Sequence, residues 1–295
     1  MDPWDVTRAF TLGPLLEVTI PKPGNVNRYE DFDDLSIYNF LFGDVFMSKV
    51  LYETAERGRL ISEGKLCYEE AGIGNLIRRA FEESISAQNS NANFGIIALA
   101  VPLAMACSIS DDVMEASSVS KTLIERTTPE DSVEFYKAVR LANPSGLRKE
   151  AKYDVYGENV FEELRRDKIN LKKIAEIECG EELIFCEWLR GYELSYKTFL
   201  RVRDLVKVNN LEESVIIAFL ELLSENVDTL IARKAGIEEA LRVKDMAKRV
   251  LDGSISLEEY DTFLREKSHR RNPGSLADVM AVALSILILD GYELR

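Results

Sequence analysis

Histidine is nearly missing from this sequence: His269 is the only one among 295 residues. It sits in Lys267-Ser268-His269-Arg270-Arg271, a basic helix end where a solvated ring complementing the helix C-terminus is the simpler reading. Acid–base work therefore falls to carboxylates, lysine or groups on a substrate. Cysteine is scarce as well. Cys67, Cys107, Cys179 and Cys186 form no C-x-x-C pair, and with one histidine this excludes a zinc site of the usual spacing. Reduced, mostly packed thiols in a cytoplasmic protein are expected. Long apolar runs are also lacking. Ile96–Cys107 contains Pro102 and Val279–Leu289 is short, whereas a membrane span needs roughly 18 apolar residues. Asp2, Asp5 and Arg8 break up the N-terminus against a secretory signal. Positive charge is outweighed, 37 Lys and Arg against 51 Asp and Glu, for a net charge of -14. That sign opposes nucleic acid and anionic membranes as partners. It leaves room for a small anionic ligand held by local basic residues or helix N-termini.

Strict alternation of apolar and polar residues, the mark of a half-buried strand, is almost absent. What is present is helical. Leu211, Val215, Ile216, Phe219, Leu220 and Leu223 recur at helical spacing, with Glu212, Glu213 and Glu221 on other faces. Asn210 with Glu213 resembles a capping box, and Ser256-Leu257-Glu258-Glu259 is one. Thr128-Pro129 and Asn272-Pro273 each place an N-cap residue before a proline suited to the first helical turn. The composition, 46% hydrophobic, suffices for a sizeable core. The expectation is an all-α fold, a single globular domain over 1–295 with about 11–13 helices. They are placed near 4–18, 37–57, 73–88, 94–107, 111–126, 129–142, 170–178, 181–207 (with a break near Gly191), 211–225, 237–251, 257–268 and 273–290. Residues 143–169 are the least regular stretch and are read as an ordered loop, which at that length is often functional.

Four polar segments interrupt the apolar helices. In Glu17-Val18-Thr19-Ile20-Pro21-Lys22-Pro23-Gly24-Asn25-Val26, two prolines stiffen the turn, Gly24 frees the backbone, and Lys22 is a point charge suited to phosphate. An ordinary helix-ending loop is the alternative. Asn91-Ala92-Asn93-Phe94-Gly95 precedes the apolar helix from Ile96 and offers amides and free backbone N–H groups to an anion. Simple capping by Asn93 would need only one asparagine. Asp228-Thr229-Leu230-Ile231-Ala232-Arg233-Lys234 sets a carboxylate close to two cations, or is a solvated charged turn. Asn272-Pro273-Gly274-Ser275-Leu276-Ala277-Asp278 leads into another apolar helix. Asp278 there needs a partner, a metal or a substrate, unless it only complements the helix dipole.

Taken together and in order, these segments resemble the triphosphoribosyl-dephospho-coenzyme A synthase family. Glu17-Val18 followed by Pro21-Lys22-Pro23-Gly24-Asn25-Val26 looks like the family's proline-lysine-proline-glycine motif. Asp31-Phe32-Asp33-Asp34, then Phe40-Leu41, is similar to its next aspartate-containing stretch. The segments at Asn91, Asp228 and Asn272 look like its later blocks. The resemblance runs from about residue 15 to 291 and is that of a divergent branch, with Asn27-Arg28-Tyr29-Glu30 where the family often has a histidine.

The resemblance implies a transferase using ATP and 3′-dephospho-coenzyme A or a related acceptor. The acceptor ribose 2′-hydroxyl attacks the anomeric carbon of ATP's ribose, adenine leaves and the triphosphate is retained, with Mg²⁺ expected. Lys22, Arg233 and Lys234 are implied on the phosphates, and Gly24, Asn25, Asn91, Asn93, Gly95 and Asn272 around ATP. Asp34, Asp228 and Asp278 are the catalytic candidates, with Asp34 and Asp278 also candidates for metal ligation. Two other classes stay open on the residues alone. One is a different helical Mg²⁺-dependent nucleotide-handling enzyme, a pentosyl transferase with another acceptor or a nucleotide hydrolase. The other is a non-catalytic helical interaction protein on the same fold. Free adenine as a product marks glycosyl transfer, pyrophosphate or phosphate marks hydrolysis, and absence of ATP binding favours the interaction protein.

Overall fold

A computed structural model describes residues 1–88, 90–144 and 152–294. Within them the chain is all-helical, with fifteen α-helices, two 3₁₀ turns and no strands. The first six are α1 (Pro3–Thr19), α2 (Ile37–Ser62), α3 (Ile73–Gln88), α4 (Phe94–Ile109), α5 (Ala116–Glu125) and α6 (Pro129–Ala142). Then follow α7 (Val160–Arg166), α8 (Leu171–Glu178), α9 (Leu183–Arg190), α10 (Glu193–Leu205) and α11 (Leu211–Glu225). The chain closes with α12 (Thr229–Ala235), α13 (Ile237–Leu251), α14 (Leu257–Arg265) and α15 (Gly274–Leu289). Three features exceed the sequence expectation. The helix α7 lies inside the stretch read as loop, of which 145–151 lie outside the described residues. The turn carrying Arg233 and Lys234 is itself the helix α12. The break at Gly191 is complete, with Gly191 and Tyr192 both left-handed at φ 68° and 62°.

Two helices are apolar on every side, α4 and α15, and they form the pillars of the core. Residues 96–108 of α4 are all buried, as are 279–287 of α15. Neighbours reach them through small residues. A Cβ on Gly13 of α1 would lie 2.6 Å from the Ser285 backbone nitrogen, and one on Gly58 of α2 would lie 2.6 Å from the Met105 carbonyl oxygen. These contacts bring α1 onto α15 and α2 onto α4 at backbone distance.

Pro102 inside α4 has no N–H to give the Ala98 carbonyl one turn back. Trp188 of α9 fills that role, its indole N–H donating to the Ala98 oxygen at 3.1 Å, and the Tyr192 hydroxyl donates to the Leu99 oxygen at 2.8 Å. The proline thus creates the acceptor that docks α9, and α9 becomes a wall of the site. Glu187 on the same helix is buried and accepts the Leu194 and Ser195 N–H groups at 3.0 and 2.9 Å, capping α10.

The caps at Thr128, Asn210 and Ser256 form as expected, each side chain accepting an N–H three residues on. Asn272 does not cap α15, because its amide oxygen is taken by Asn25. The cysteine expectation is also corrected. Cys179 and Cys186 are joined by a disulfide across the turn from α8 to α9, while Cys107 is buried and free and Cys67 exposed and free. Among the described residues no helix is long and apolar enough to cross a membrane.

Candidate active site

The N-terminal ends of α4 and α15 meet at a cavity of about 370 Å³, within the usual size range of small-molecule sites. The meeting is close. A Cβ on Gly95 would lie 1.9 Å from Oδ2 of Asp278, so only glycine leaves the carboxylate its place. The helix α12 is locked to the same end of α15 by reciprocal capping. Asp228 accepts the Ile231 N–H with one oxygen and the Leu276 N–H with the other, both at 2.9 Å. Ser275 in turn accepts the Leu230 N–H at 3.1 Å and the Thr229 hydroxyl at 2.9 Å.

The proline-rich loop enters from the opposite side. Gly24, at φ 75°, donates its N–H to Asp261 of α14 at 2.7 Å, and Arg265 donates to the Asn25 carbonyl at 2.7 Å. So held, Asn25 donates through its side-chain amide to Asn272 at 2.8 Å. Its own amide oxygen is buried with no partner.

Seven of the residues singled out in the sequence line this cavity: Asn25, Asn91, Gly95, Arg233, Lys234, Asn272 and Asp278. Five do not. Lys22 is wholly buried behind the wall, where its ammonium pairs with Glu17 at 2.8 Å and donates to the Glu17 and Ile20 carbonyls. A lysine so enclosed balances an internal charge and does not face a phosphate. Gly24 is buried against Leu264. Asn93, also wholly buried, donates to Asp44 of α2. Asp228 has both oxygens committed to backbone N–H groups. Asp34 is exposed and lies 3.3 Å from His269 Nδ1, outside the cavity lining.

The electrostatics centre on Asp278. Burial pushes its carboxyl well above the ordinary range, and the negative charges of Glu17, Asp228, Glu182 and Asp44 push it further. Asp44 is likewise raised by burial and by Glu17, against the opposing bond from Asn93, and its Oδ2 is buried with no partner. Glu17 is raised by burial despite Lys22. Burial lifts Glu182 to about 7 although it pairs with Arg233, and lifts Asp228 to about 6. Arg233 and Lys234 also line the cavity, Arg233 paired with Glu182 and both near Asp228; the Lys234 ammonium is shifted down by burial and by Arg233. The cavity is therefore short of positive charge around Asp278 and has cations at one side. Such a site suits a ligand that carries an anionic tail and brings or develops positive charge elsewhere.

Sequence reasoning passed over Glu17 and His269 as site residues, although both line the cavity, and missed Asp44, Glu182 and Phe185 altogether. A carboxylate beside Gly43 in the middle of α2 was the available signal for Asp44. Nothing in the local sequence distinguishes Glu182, which the disulfide-closed turn carries to the cavity.

No curated protein matches the sequence. A crystal structure from Archaeoglobus fulgidus, provisionally assigned as a triphosphoribosyl-dephospho-CoA synthase, shares the fold with a TM-score of 0.62. The likeness covers 83% of this chain and 99% of that one at 23% identity. The family model for CitG, ATP:dephospho-CoA triphosphoribosyl transferase, matches residues 3–295. The chain that folds its proline-rich loop, its α4 and α15 ends and its carboxylate cluster around one cavity belongs to this transferase family.

Proposed function

We propose that ATP binds in the cavity between the α4 and α15 ends, with its ribose facing Asp278 and its triphosphate toward Lys234 and Arg233. The observation that carries this reading is the cluster of carboxylates around a half-buried Asp278, on the wall of a cavity with cations at one side. Asn25, Asn91 and Asn272 supply amides to orient the nucleotide, and the start of α4 adds backbone N–H groups.

The chemistry follows from the charges. The 2′-oxygen of the acceptor bonds to the anomeric carbon of ATP's ribose, and the bond to the adenine nitrogen breaks with its electron pair going to adenine. The hydroxyl proton passes to a carboxylate of the cluster and ends on the departing base. Positive charge grows on the ribose ring between these events. Carboxylates fixed before the reaction stabilise that charge without reorganising, which is the larger electrostatic contribution in many enzymes. Glu17, Glu182 and Asp278 all line the cavity, but Glu17 is paired with Lys22 and Glu182 with Arg233, so Asp278 is the catalytic residue in this reading. Asp228 is a positioning residue that fixes the α15 end. Lys22 holds Glu17 in the wall.

Mg²⁺ is tested by the donors present. Among the described residues no three acidic, histidine or cysteine side chains gather into a cage. Mg²⁺ ordinarily takes one or two carboxylates and lets substrate phosphates and water complete the shell. Asp278 fits that need; Asp34 is exposed and outside the cavity lining, although its neighbour His269 lines it. The ion would neutralise triphosphate charge when bound.

Adenine release from ATP with dephospho-CoA, followed by mass spectrometry of the adduct, tests the reading. Asp278→Asn is expected to lower kcat by about 10²-fold or more, and Asn25→Ala to raise KM for ATP. Chelation should stop the reaction and Mg²⁺ restore it. Wild-type turnover by Asp278→Asn would sink the assignment.

A further inference from the structure

A second cavity of about 670 Å³ adjoins the first. Phe135, Val139, Glu182, Phe185 and Arg233 belong to both walls. Phe135 and Phe185 lie edge to face at 5.9 Å, and each meets Trp188, at 5.3 and 5.5 Å, so the partition is an aromatic cluster with the Glu182–Arg233 pair beside it. The disulfide Cys179–Cys186 closes the turn that carries Glu182 and Phe185 into this position.

The far wall is different in kind from the first cavity. Tyr153, Val155, Ile174, Val227, Ala232 and Ile237 make it largely apolar. Its charged residues among those described are Glu178, Glu181, Glu182 and Arg233, the last two paired with each other. A largely apolar chamber offers little to phosphates and suits a neutral, flexible, weakly polar chain. ATP has no such part. The acceptor does: dephospho-CoA carries a neutral amide-bearing thiol arm on the 5′ side of its pyrophosphate.

We infer that the second cavity is the subsite for the amide-thiol arm of the acceptor, with Arg233 at the junction, between the donor triphosphate and the acceptor pyrophosphate. The inference rests on the reading that ATP occupies the first cavity. It makes the shared wall the place where donor and acceptor meet, because an arm in one chamber and a donor ribose in the other leave the acceptor ribose at the partition.

The test uses the full chain and separates donor from acceptor. Free pantetheine should inhibit wild-type enzyme competitively against dephospho-CoA and not against ATP. Ala232→Trp on α12 and Val155→Trp on the loop before α7 narrow the chamber from different elements. Each should raise KM for dephospho-CoA by about tenfold or more and weaken pantetheine inhibition. KM for ATP should stay unchanged, as should KM for ADP used as an acceptor without the arm. Equal KM values for ADP and dephospho-CoA in the wild type, with no inhibition by pantetheine, would overturn the inference. So would a rise in KM for ATP in both variants, which would place the donor in this chamber. Failure of the first-cavity reading shows elsewhere, as undiminished turnover by Asp278→Asn, and leaves the pantetheine result standing.

Discussion

Replacing Gly95 by alanine separates the position of Asp278 from the stability of the fold. The new methyl would lie 1.9 Å from Oδ2 and 2.7 Å from Cγ of Asp278, so the carboxylate must move. The group displaced is the end of a side chain and not backbone. A departure from its rotamer costs about 0.5–1.5 kcal/mol. Alanine in the first turn of α4 returns up to about 1 kcal/mol of helix propensity. The two nearly cancel, and Tm should stay within about 2–4 °C of wild type. Catalysis has no such offset. A misplacement of about 1 Å at the reacting centre costs about 10²-fold in rate, equivalent to about 2.7 kcal/mol of barrier. The expected outcome is a protein with near wild-type melting, unchanged KM for ATP within a few-fold, and kcat down about 10²-fold by adenine release. The double variant with Asp278→Asn should lose little more than either single one, because both act on one carboxylate. Wild-type kcat in Gly95→Ala would refute the placement of Asp278 at the ribose. A large drop in Tm would show that the crowding falls on the helices and not on the side chain.

Lys22→Met strands Glu17 as an unpaired buried carboxylate and should cost about 3–5 kcal/mol of stability, read by denaturant titration, with Glu17→Gln added in the same chain recovering part of it. Glu182 has its carboxyl raised in the folded state, from 4.5 to about 7, so the folded protein binds the extra proton across that window. Its contribution to stability is fully present below pH 4.5 and is lost as pH rises through about 7; Tm of Glu182→Gln relative to wild type should therefore climb over that range, and a flat difference would contradict the shift. Trp188→Phe leaves the Ala98 carbonyl without its donor and should cost about 1–3 kcal/mol. In a Pro102→Ala background, where alanine supplies the missing N–H, the same change should cost less, and equal costs in both backgrounds would break the link between Pro102 and Trp188.

The helical class was legible because α4, α11 and α15 carry it in their own residues, through apolar content and spacing. The short helices were not. The α7 and α12 segments are seven residues each, too brief for periodicity to register, and they hold together through contacts with distant residues. The break at Gly191 was visible as a glycine, but its cause, the Ser117 hydroxyl donating to the Gly191 carbonyl at 2.7 Å, belongs to another helix. For the site, the polar loop residues that punctuate helices stood out, and Asn25, Asn91, Asn272 and Asp278 line one cavity. Side-chain direction did not follow from residue type. Lys22 looks like a phosphate ligand in sequence and turns inward, because Glu17 one turn before the loop offers it a buried partner. Glu182 and Phe185 reach the partition only through a turn closed by two cysteines that show no recognisable spacing motif.

The two pillars of the core also have a consequence for how the enzyme moves. The floor of the first cavity is the end of α4 and α15. Beyond the first turn, whose N–H groups have no helical partner, the bodies of both helices are buried, and amides so placed exchange their hydrogens with solvent only when the whole fold opens. The reacting centre is thus built on the slowest-exchanging part of the molecule. Opening for substrate entry and product release must come from the other walls, the α9 turn and α12, which carry shorter helices and half-exposed side chains. Hydrogen exchange should show ligand-dependent protection there, while the buried bodies of α4 and α15 stay silent with or without ATP.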